Sequence, residues 1–380
     1  MSASPAHTVI VGASIAGLSV AESLRACGYP GRITVLERDP EQPGDRPPLS
    51  KGFLLGEEVD VDLPYAATAS AEGVEILLGE EVTALQPDRK LVHTASGRSL
   101  TYSDLVVATG SQPRRLPVPG REVVDVHVLR GQQDALRLRA RAAEARTAVI
   151  VGAGVLGLEI ASSLRRLGIE VELVTNLGVP LNPAFGKEVA EFELALLARE
   201  GVGFRPNTSV RSYRAGPAVE LESGVVLPAD LIVEAVGAEP GTGWLAGSGL
   251  TVADGIQCDA SLQAAPGVYA AGDVCRWFNP RYGRSMRIEH WTNALDQAAV
   301  VAQNITGERR VLDGIPYFWS DHFGSHLQFA GITADHCVGD QPGPDSLTVR
   351  YLDGTGREVG VLSVNHPRPI LEHRRQPAAG

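Results

Sequence analysis

Val9-Ile10-Val11-Gly12-Ala13-Ser14-Ile15-Ala16-Gly17 and Val149-Ile150-Val151-Gly152-Ala153-Gly154-Val155-Leu156-Gly157 are two versions of one turn. Each follows a β-branched run and opens a helix of small residues. In such a turn the first glycine makes the bend and the second lets a dinucleotide pyrophosphate approach the backbone. The third lets the helix pack on the strand while its N-terminus faces the phosphates. One match of this kind is a weak signal, because glycine-rich corners also serve packing alone. Its repetition predicts two nucleotide sites in one chain, and two such sites suggest electron transfer between them.

The two turns are not identical. The second has all three glycines, whereas the first has Ser14 at the middle position. After the first helix, Arg32-Ile33-Thr34-Val35-Leu36-Glu37 places an acid about 20 residues past Gly17, where a ribose hydroxyl can be held. Aligning the second unit through Val171-Glu172-Leu173-Val174 puts Thr175 at the matching place. No arginine or lysine lies between Arg166 and Lys187 to meet a 2′-phosphate, so NAD versus NADP stays open.

At 380 residues the chain is long enough for two or three domains. Its net charge of −11 argues against nucleic acid as the main partner. No apolar run reaches membrane-spanning length, and Met1-Ser2-Ala3-Ser4-Pro5 is neither a basic nor an apolar leader, so a cytoplasmic protein is expected. Cys27, Cys258, Cys275 and Cys337 form no Cys-x-x-Cys or zinc pattern; they read as buried reduced thiols, with no metal site.

Strand-like and helix-like stretches alternate through the first 240 residues, as in α/β chains with parallel sheets. A proline-rich crossing, Ser111-Gln112-Pro113-Arg114-Arg115-Leu116-Pro117-Val118-Pro119-Gly120, precedes a charged helix expected over Gln132 to Arg146. A second turn cluster, Val236-Gly237-Ala238-Glu239-Pro240, closes the inserted unit. From Gly314 the pattern changes to short β-like pieces such as Leu347–Leu352 and Val359–Val364. The expected fold is α/β, with two Rossmann-like dinucleotide-binding domains and a small α+β C-terminal domain. Residues 1–110 and 238–313 would form the first, 111–237 the second and 314–380 the third.

Five further segments make the chain recognisable. Leu105-Val106-Val107-Ala108-Thr109-Gly110-Ser111 and Gly267-Val268-Tyr269-Ala270-Ala271-Gly272-Asp273 look like segments of the two-dinucleotide flavoprotein reductases. More specific are Asp45-Arg46-Pro47-Pro48-Leu49-Ser50-Lys51, Glu289-His290-Trp291-Thr292-Asn293-Ala294 and Pro316-Tyr317-Phe318-Trp319-Ser320-Asp321. With them the chain resembles, from about Val9 to Arg368, the FAD-dependent NAD(P)H:ferredoxin reductases that serve bacterial cytochromes P450 and ring-hydroxylating dioxygenases.

The resemblance implies that the first turn binds FAD and the second NADH or NADPH. Around FAD it places Gly12, Ser14, Ile15, Ala16, Gly17, Glu37, Arg38, Arg46, Lys51, Val82, Ala108, Thr109, Gly110 and Arg115. Gly272, Asp273, Glu289, His290, Trp291, Ala294 and Trp319 complete that set, with Asp273 on the ribityl chain. Around NAD(P) it places Gly152, Gly154, Val155, Leu156, Gly157, Glu159, Thr175, Val236 and Gly237. Lys51 and Glu159 are the implied catalytic pair, Lys51 near the flavin's reactive face and Glu159 beside the nicotinamide. Without the resemblance, Trp291 and Trp319 read as core aromatics, and Lys51 and Glu159 as solvated surface charges. Thr175 replaces the acid common among NADH-preferring members.

Hydride transfer between stacked nicotinamide and flavin asks the protein for positioning and electrostatics, since the cofactors carry the chemistry. The sequence offers no nucleophile elbow, metal cluster or catalytic pair of carboxylates. No cysteine lies between Cys27 and Cys258, which removes the thiol relay of disulfide-type relatives and favours a one-electron acceptor, a [2Fe-2S] or related ferredoxin. From Arg276 to Arg310, six arginines stand against three acids, so Arg281, Arg284 and Arg287 are candidates for its docking rim, or for an ordinary solvated loop. A monomer or weak dimer is expected. The competing readings are an NAD(P)H oxidase or quinone-type reductase and a redox-signalling flavoprotein resembling apoptosis-inducing factors.

Overall fold

The computed structural model describes residues 6–63 and 73–376. The run His7–Val11 becomes an inner strand of a six-stranded sheet. Its order is Gln263–Ala265, Val268–Ala270, Asp104–Val107, His7–Val11, Arg32–Leu36, Glu75–Leu77. Every pairing is parallel except that of the first two strands. Val9, Ile10, Leu105 and Val106 are all fully buried, which is why these strands read as unbroken apolar runs rather than alternating ones. The helix Ile15–Ala26 covers one face beside the helix Trp291–Ile305.

The second turn builds a five-stranded parallel sheet ordered Gly203–Arg205, Glu170–Val174, Thr147–Val151, Leu231–Glu234, Val126–His127. The internal repeat reaches beyond the turns. Each unit also carries a three-stranded antiparallel meander, Val82–Gln86 with Leu91–Thr94 and Ser99–Thr101 in one, Val210–Arg214 with Ala218–Leu221 and Val226–Pro228 in the other.

The two chain crossings pair with each other. Ser111–Pro113 and Ala238–Pro240 form an antiparallel ribbon in the register Ala238↔Pro113, Glu239↔Gln112, Pro240↔Ser111. The expected tail strands are present, Ser346–Leu352 and Glu358–Val364, inside a five-stranded antiparallel sheet capped by the helix Arg368–Arg374.

Two expectations need correction. The charged helix runs Gln132–Ala142 and stops short of Arg146, because the backbone N–H groups of Arg146 and Thr147 already donate to Asp230 Oδ2 at the start of the next strand. The cysteines are free, but only Cys258 and Cys275 are buried; Cys337 is half-buried and Cys27 is exposed, at the C-terminal cap of the first helix. Among the described residues no helix is long and apolar enough to cross a membrane.

Candidate cofactor cleft

The first turn is shaped by its glycines. Gly12 has φ of +104°, and a Cβ there would meet the Ala108 carbonyl at 2.4 Å; one on Gly17 would meet the Gly12 carbonyl at 1.9 Å. Ser14 caps the helix in an extended conformation without using its hydroxyl. At the end of the neighbouring strand, Glu37 Oε2 accepts from the Ala13 N–H at 2.7 Å and Oε1 from the Asp39 N–H at 3.1 Å. Glu37, Arg38 and Arg115 line a cleft of about 460 Å³ that begins here, together with Arg46 and Arg130.

Deeper in, charges converge. Asp273 Oδ2 accepts from Arg130 Nη2 and from the Ser111 hydroxyl, both at 2.9 Å. Burial pushes the Asp273 carboxyl up, but Arg130, Arg46 and the Ser111 hydrogen bond outweigh it and hold the group below the usual range. Arg46 is open to the cleft yet hemmed in by protein; burial, then Arg130, lowers it to about 10 against the pull of Asp273, Glu37 and Asp39. His290, also ringed by protein, is lowered to about 4 by burial despite Asp273.

Two buried atoms lining this cleft, Arg130 Nε and His290 Nδ1, have no hydrogen-bond partner among the described residues. Buried polar groups are rarely left so. Two cationic side chains past the helix N-terminus, an acid at the ribose position and unpartnered polar atoms farther in fit an FAD held along the cleft.

The cleft adjoins two further segments through shared lining residues. Its next segment, about 210 Å³, shares Ser14 and Arg46 with the first and adds Ser50, Glu159, His290 and Trp291. A third, wider segment shares Glu159, His290 and Trp291 and opens on Lys51, Gly154, Phe318 and Trp319. Lys51 Nζ lies 2.8 Å from Glu159 Oε1 where the two meet, and Ser50 donates to Glu159 Oε2 at 2.5 Å. Lys51 follows a 3₁₀ turn, Pro47–Ser50, while Glu159 lies on the second dinucleotide helix, Val155–Arg166, so the pair joins the two nucleotide units. Trp291 Nε1 donates to Asp45 Oδ1 at 3.0 Å, and its ring meets Trp319 edge to face at 6.1 Å. Both tryptophans line the cleft rather than a closed core.

In the second turn a Cβ on Gly152 would meet the Ala235 carbonyl at 2.1 Å, and one on Gly157 the Gly152 carbonyl at 2.1 Å. Gly154 is different: at φ −78° and ψ −175° any residue would fit the backbone, and its Cβ would project into open space. Val155 and Gly154 line the wide segment, and Leu156 the one before it. Thr175 is buried, its hydroxyl accepting from the Leu177 N–H at 3.1 Å.

The remaining candidates sit as follows. Ile15, Glu289 and Ala294 line the middle segment of the cleft. Gly272 bends with φ of +79° and packs on Ala16, a Cβ on it falling 2.9 Å from the Ala16 methyl. Gly110, also at positive φ, lies under Arg130, while Thr109 donates to the Gly241 carbonyl across the crossing ribbon. Ala108 and Val82 are buried in the core beneath. Val236 packs against the second meander and Gly237 accepts from the Arg114 N–H, both outside the cleft lining. The arginine cluster is partly neutralised by Asp254, outside its own segment, which pairs with Arg287 at 2.8 Å and with Arg276; Arg287 also pairs with Glu289, and Arg281 donates to the main-chain carbonyl of Asp313. Arg284 is exposed.

Sequence reasoning missed Arg130 and three residues behind Glu159: Ser320, His322 and Glu193. Arg130 stands just ahead of a helix whose Asp134 caps the Arg130 and Gly131 N–H groups, a local sign of an ordered turn but not of its target.

The chain belongs to the pyridine nucleotide-disulphide oxidoreductase family, which it matches over residues 6–298, and carries a reductase C-terminal domain over residues 317–380. It is an oxidoreductase using FAD and NAD(H), of the ferredoxin reductase kind that the sequence resembles. It is 36% identical over 390 residues to the ferredoxin–NAD(+) reductase component of the anthranilate 1,2-dioxygenase system of Burkholderia cepacia, covering 100% of this chain and 95% of that one. Among solved structures, the ferredoxin reductase for the CYP199A2 system of Rhodopseudomonas palustris superposes with a TM-score of 0.93 at 31% identity, covering 97% of this chain and 93% of that one. The covalent putidaredoxin reductase–putidaredoxin complex gives a TM-score of 0.91 at 32% identity, covering 97% and 92%.

Proposed function

We propose that this chain passes electrons from NADH through FAD to a small ferredoxin, which feeds a cytochrome P450 or a ring-hydroxylating oxygenase. The observation that carries the reading is the succession of three adjoining cleft segments from Glu37 to Gly154, with the Lys51–Glu159 pair where the last two share residues. FAD would lie along the first two segments and the nicotinamide would enter by the third. There FAD supplies the acceptor for hydride and the means of releasing electrons singly. The protein would hold the rings in register: Glu37 would take the ribose, Arg46 and Arg130 the pyrophosphate, Asp273 the ribityl chain, and Lys51, fixed by Glu159, the flavin's reactive edge. The ribbon at Ser111–Pro113 and Ala238–Pro240 supports domain boundaries near residues 110 and 238, and the separate terminal sheet supports one near 314.

Of the candidate docking arginines, exposure favours Arg284 for the ferredoxin, since Arg287 has only 13% of its side chain exposed and two carboxylate partners. The test is anaerobic mixing of the purified flavoprotein with NADH, followed by cytochrome c reduction with and without a [2Fe-2S] ferredoxin. Rapid flavin bleaching and strict dependence of cytochrome c reduction on the ferredoxin are expected. Reduction that proceeds equally well without ferredoxin would favour the oxidase reading instead.

A further inference from the structure

Behind the Lys51–Glu159 pair runs a buried chain of hydrogen bonds that ends inside the protein. Ser320 Oγ lies 2.7 Å from Glu159 Oε1 and 3.3 Å from His322 Nδ1, and His322 Nε2 lies 3.0 Å from Glu193 Oε2. The four residues come from three places: the helix Val155–Arg166, the terminal strand Tyr317–His322 and the helix Lys187–Arg199. Ser320 and Glu193 are fully buried and His322 is 2% exposed.

The donors and acceptors here can be counted. A serine hydroxyl has one hydrogen, and a carboxylate has none to give. With Ser320 donating to Glu159, the contact at His322 Nδ1 requires that nitrogen to donate back. On the other side of the ring, the 3.0 Å contact between Nε2 and Glu193 also needs a hydrogen between the atoms. A neutral imidazole that donates from Nδ1 has none at Nε2. The pair therefore holds one proton beyond a neutral imidazole and a carboxylate. Charge gives the same answer, for with that proton the pair is neutral overall. Without it, an uncompensated carboxylate would lie at 1% side-chain exposure, with Oε1 already lacking a partner among the described residues.

We propose that the His322–Glu193 pair is a positioning device for the reaction: it stores one proton in the interior and, by donating from His322 to Ser320, commits the Ser320 hydrogen to Glu159. Glu159 Oε1 then receives both Ser320 and Lys51 while Oε2 receives Ser50, which leaves the carboxylate one orientation toward the cleft. If the ring offered a lone pair at Nδ1, the Ser320 hydrogen could turn to it and Glu159 would lose a donor. His322 and Glu193 touch neither coenzyme in this arrangement; they act through Ser320. The inference rests on the proposed function for its consequence, but the stored proton can be measured independently.

Two measurements test it. In uniformly ¹⁵N-labelled wild-type protein, with the His322 signals assigned by their loss in His322→Gln, Nδ1 should carry a proton at neutral pH. An unprotonated Nδ1 in the wild type overturns the proposal whatever the enzyme does. In the holoenzyme, Ser320→Ala should slow flavin reduction by NADH about three- to tenfold, the cost of one net hydrogen bond. FAD content and the NADH KM should stay constant, and Ser320→Thr, which keeps the hydroxyl, should recover most of the loss. An unchanged rate in Ser320→Ala, or a loss that tracks FAD content, sinks the positioning role. Failure of the wild type itself to be reduced by NADH would instead refute the proposed function, while the nitrogen signals still decide the stored proton.

Discussion

Glu37 and Thr175 occupy the same place in two copies of one unit. Each follows a strand whose last carbonyl accepts from the first glycine of the turn, Leu36 from Gly12 at 2.8 Å and Val174 from Gly152 at 2.7 Å. The side chain of each then accepts from the N–H two residues on, Asp39 or Leu177. The difference between them is reach: the carboxylate of Glu37 also bonds Ala13 in the turn, whereas the Thr175 hydroxyl accepts only from its own loop.

Coenzyme choice follows from that difference. NADH should be preferred, but modestly, because position 175 presents no charge to repel a 2′-phosphate. Thr175→Glu should raise the NADH/NADPH ratio of kcat/KM about ten- to hundredfold, through a two-pronged acceptor for the ribose and repulsion of the phosphate. Steady-state kinetics with both coenzymes at fixed ionic strength measure this, and an unmoved ratio shows that the ribose lies elsewhere.

Replacing Glu37 by arginine should weaken FAD retention, since it exchanges a ribose acceptor for a group that can only donate and adds positive charge at a helix N-terminus. Flavin content after gel filtration is the readout. Normal content would mean that the first turn has been assigned to the wrong nucleotide.

Gly154→Val should abolish hydride transfer while leaving both fold and FAD intact. Its backbone tolerates any side chain and its Cβ meets nothing, so the only tenant it can disturb is a ligand. Circular dichroism, flavin content and stopped-flow reduction separate these effects; unimpaired reduction by NADH would remove the second turn from the coenzyme site.

Glu159→Gln should retain FAD and slow flavin reduction about tenfold or more, because the neutral amide no longer anchors the Lys51 ammonium and its NH₂ opposes one of its present donors. Reduction at the wild-type rate would leave the pair with a structural role only.

His290 predicts a pH effect on the flavin-free protein. Its folded value, about 4, lies below the ordinary 6.5, so the neutral ring contributes stability that is fully present above about pH 6.5. As pH falls toward 4, the unfolded chain takes up the proton first and the contribution, up to about 3 kcal/mol, is lost. Thermal melting in that window should be steeper in pH for wild type than for His290→Gln; parallel curves would show that His290 is not held neutral.

Much of this was legible in the sequence because it is written locally. The Gly12 and Gly152 turns, Glu37 after its strand and the Ser346–Leu352 and Glu358–Val364 strands are each announced by spacing or alternation within a short window. The pairing of Lys51 with Glu159 needed family resemblance, since nothing in either helix-flanking charge distinguishes it from a solvated one. Arg130 and the Ser320–His322–Glu193 chain were not legible at all. Their meaning lies in what faces them across three elements, and no periodicity within one element encodes that. For the arginine run, a balance taken within the segment omits Asp254, which lies outside it and pairs with Arg276 and Arg287.

The ribbon formed by Ser111–Pro113 and Ala238–Pro240 has a consequence for how such a molecule changes over time. Because the chain leaves the host sheet and re-enters it side by side, the inserted unit is to its host what the tip is to a hairpin. Closing a loop costs only logarithmically more as it lengthens, so the host closes on itself whatever hangs from the ribbon. A change of length within the inserted unit therefore leaves the register of the host sheet untouched, so long as the faces that meet across the joint, Ser50 and Lys51 on one side and Glu159 on the other, are kept.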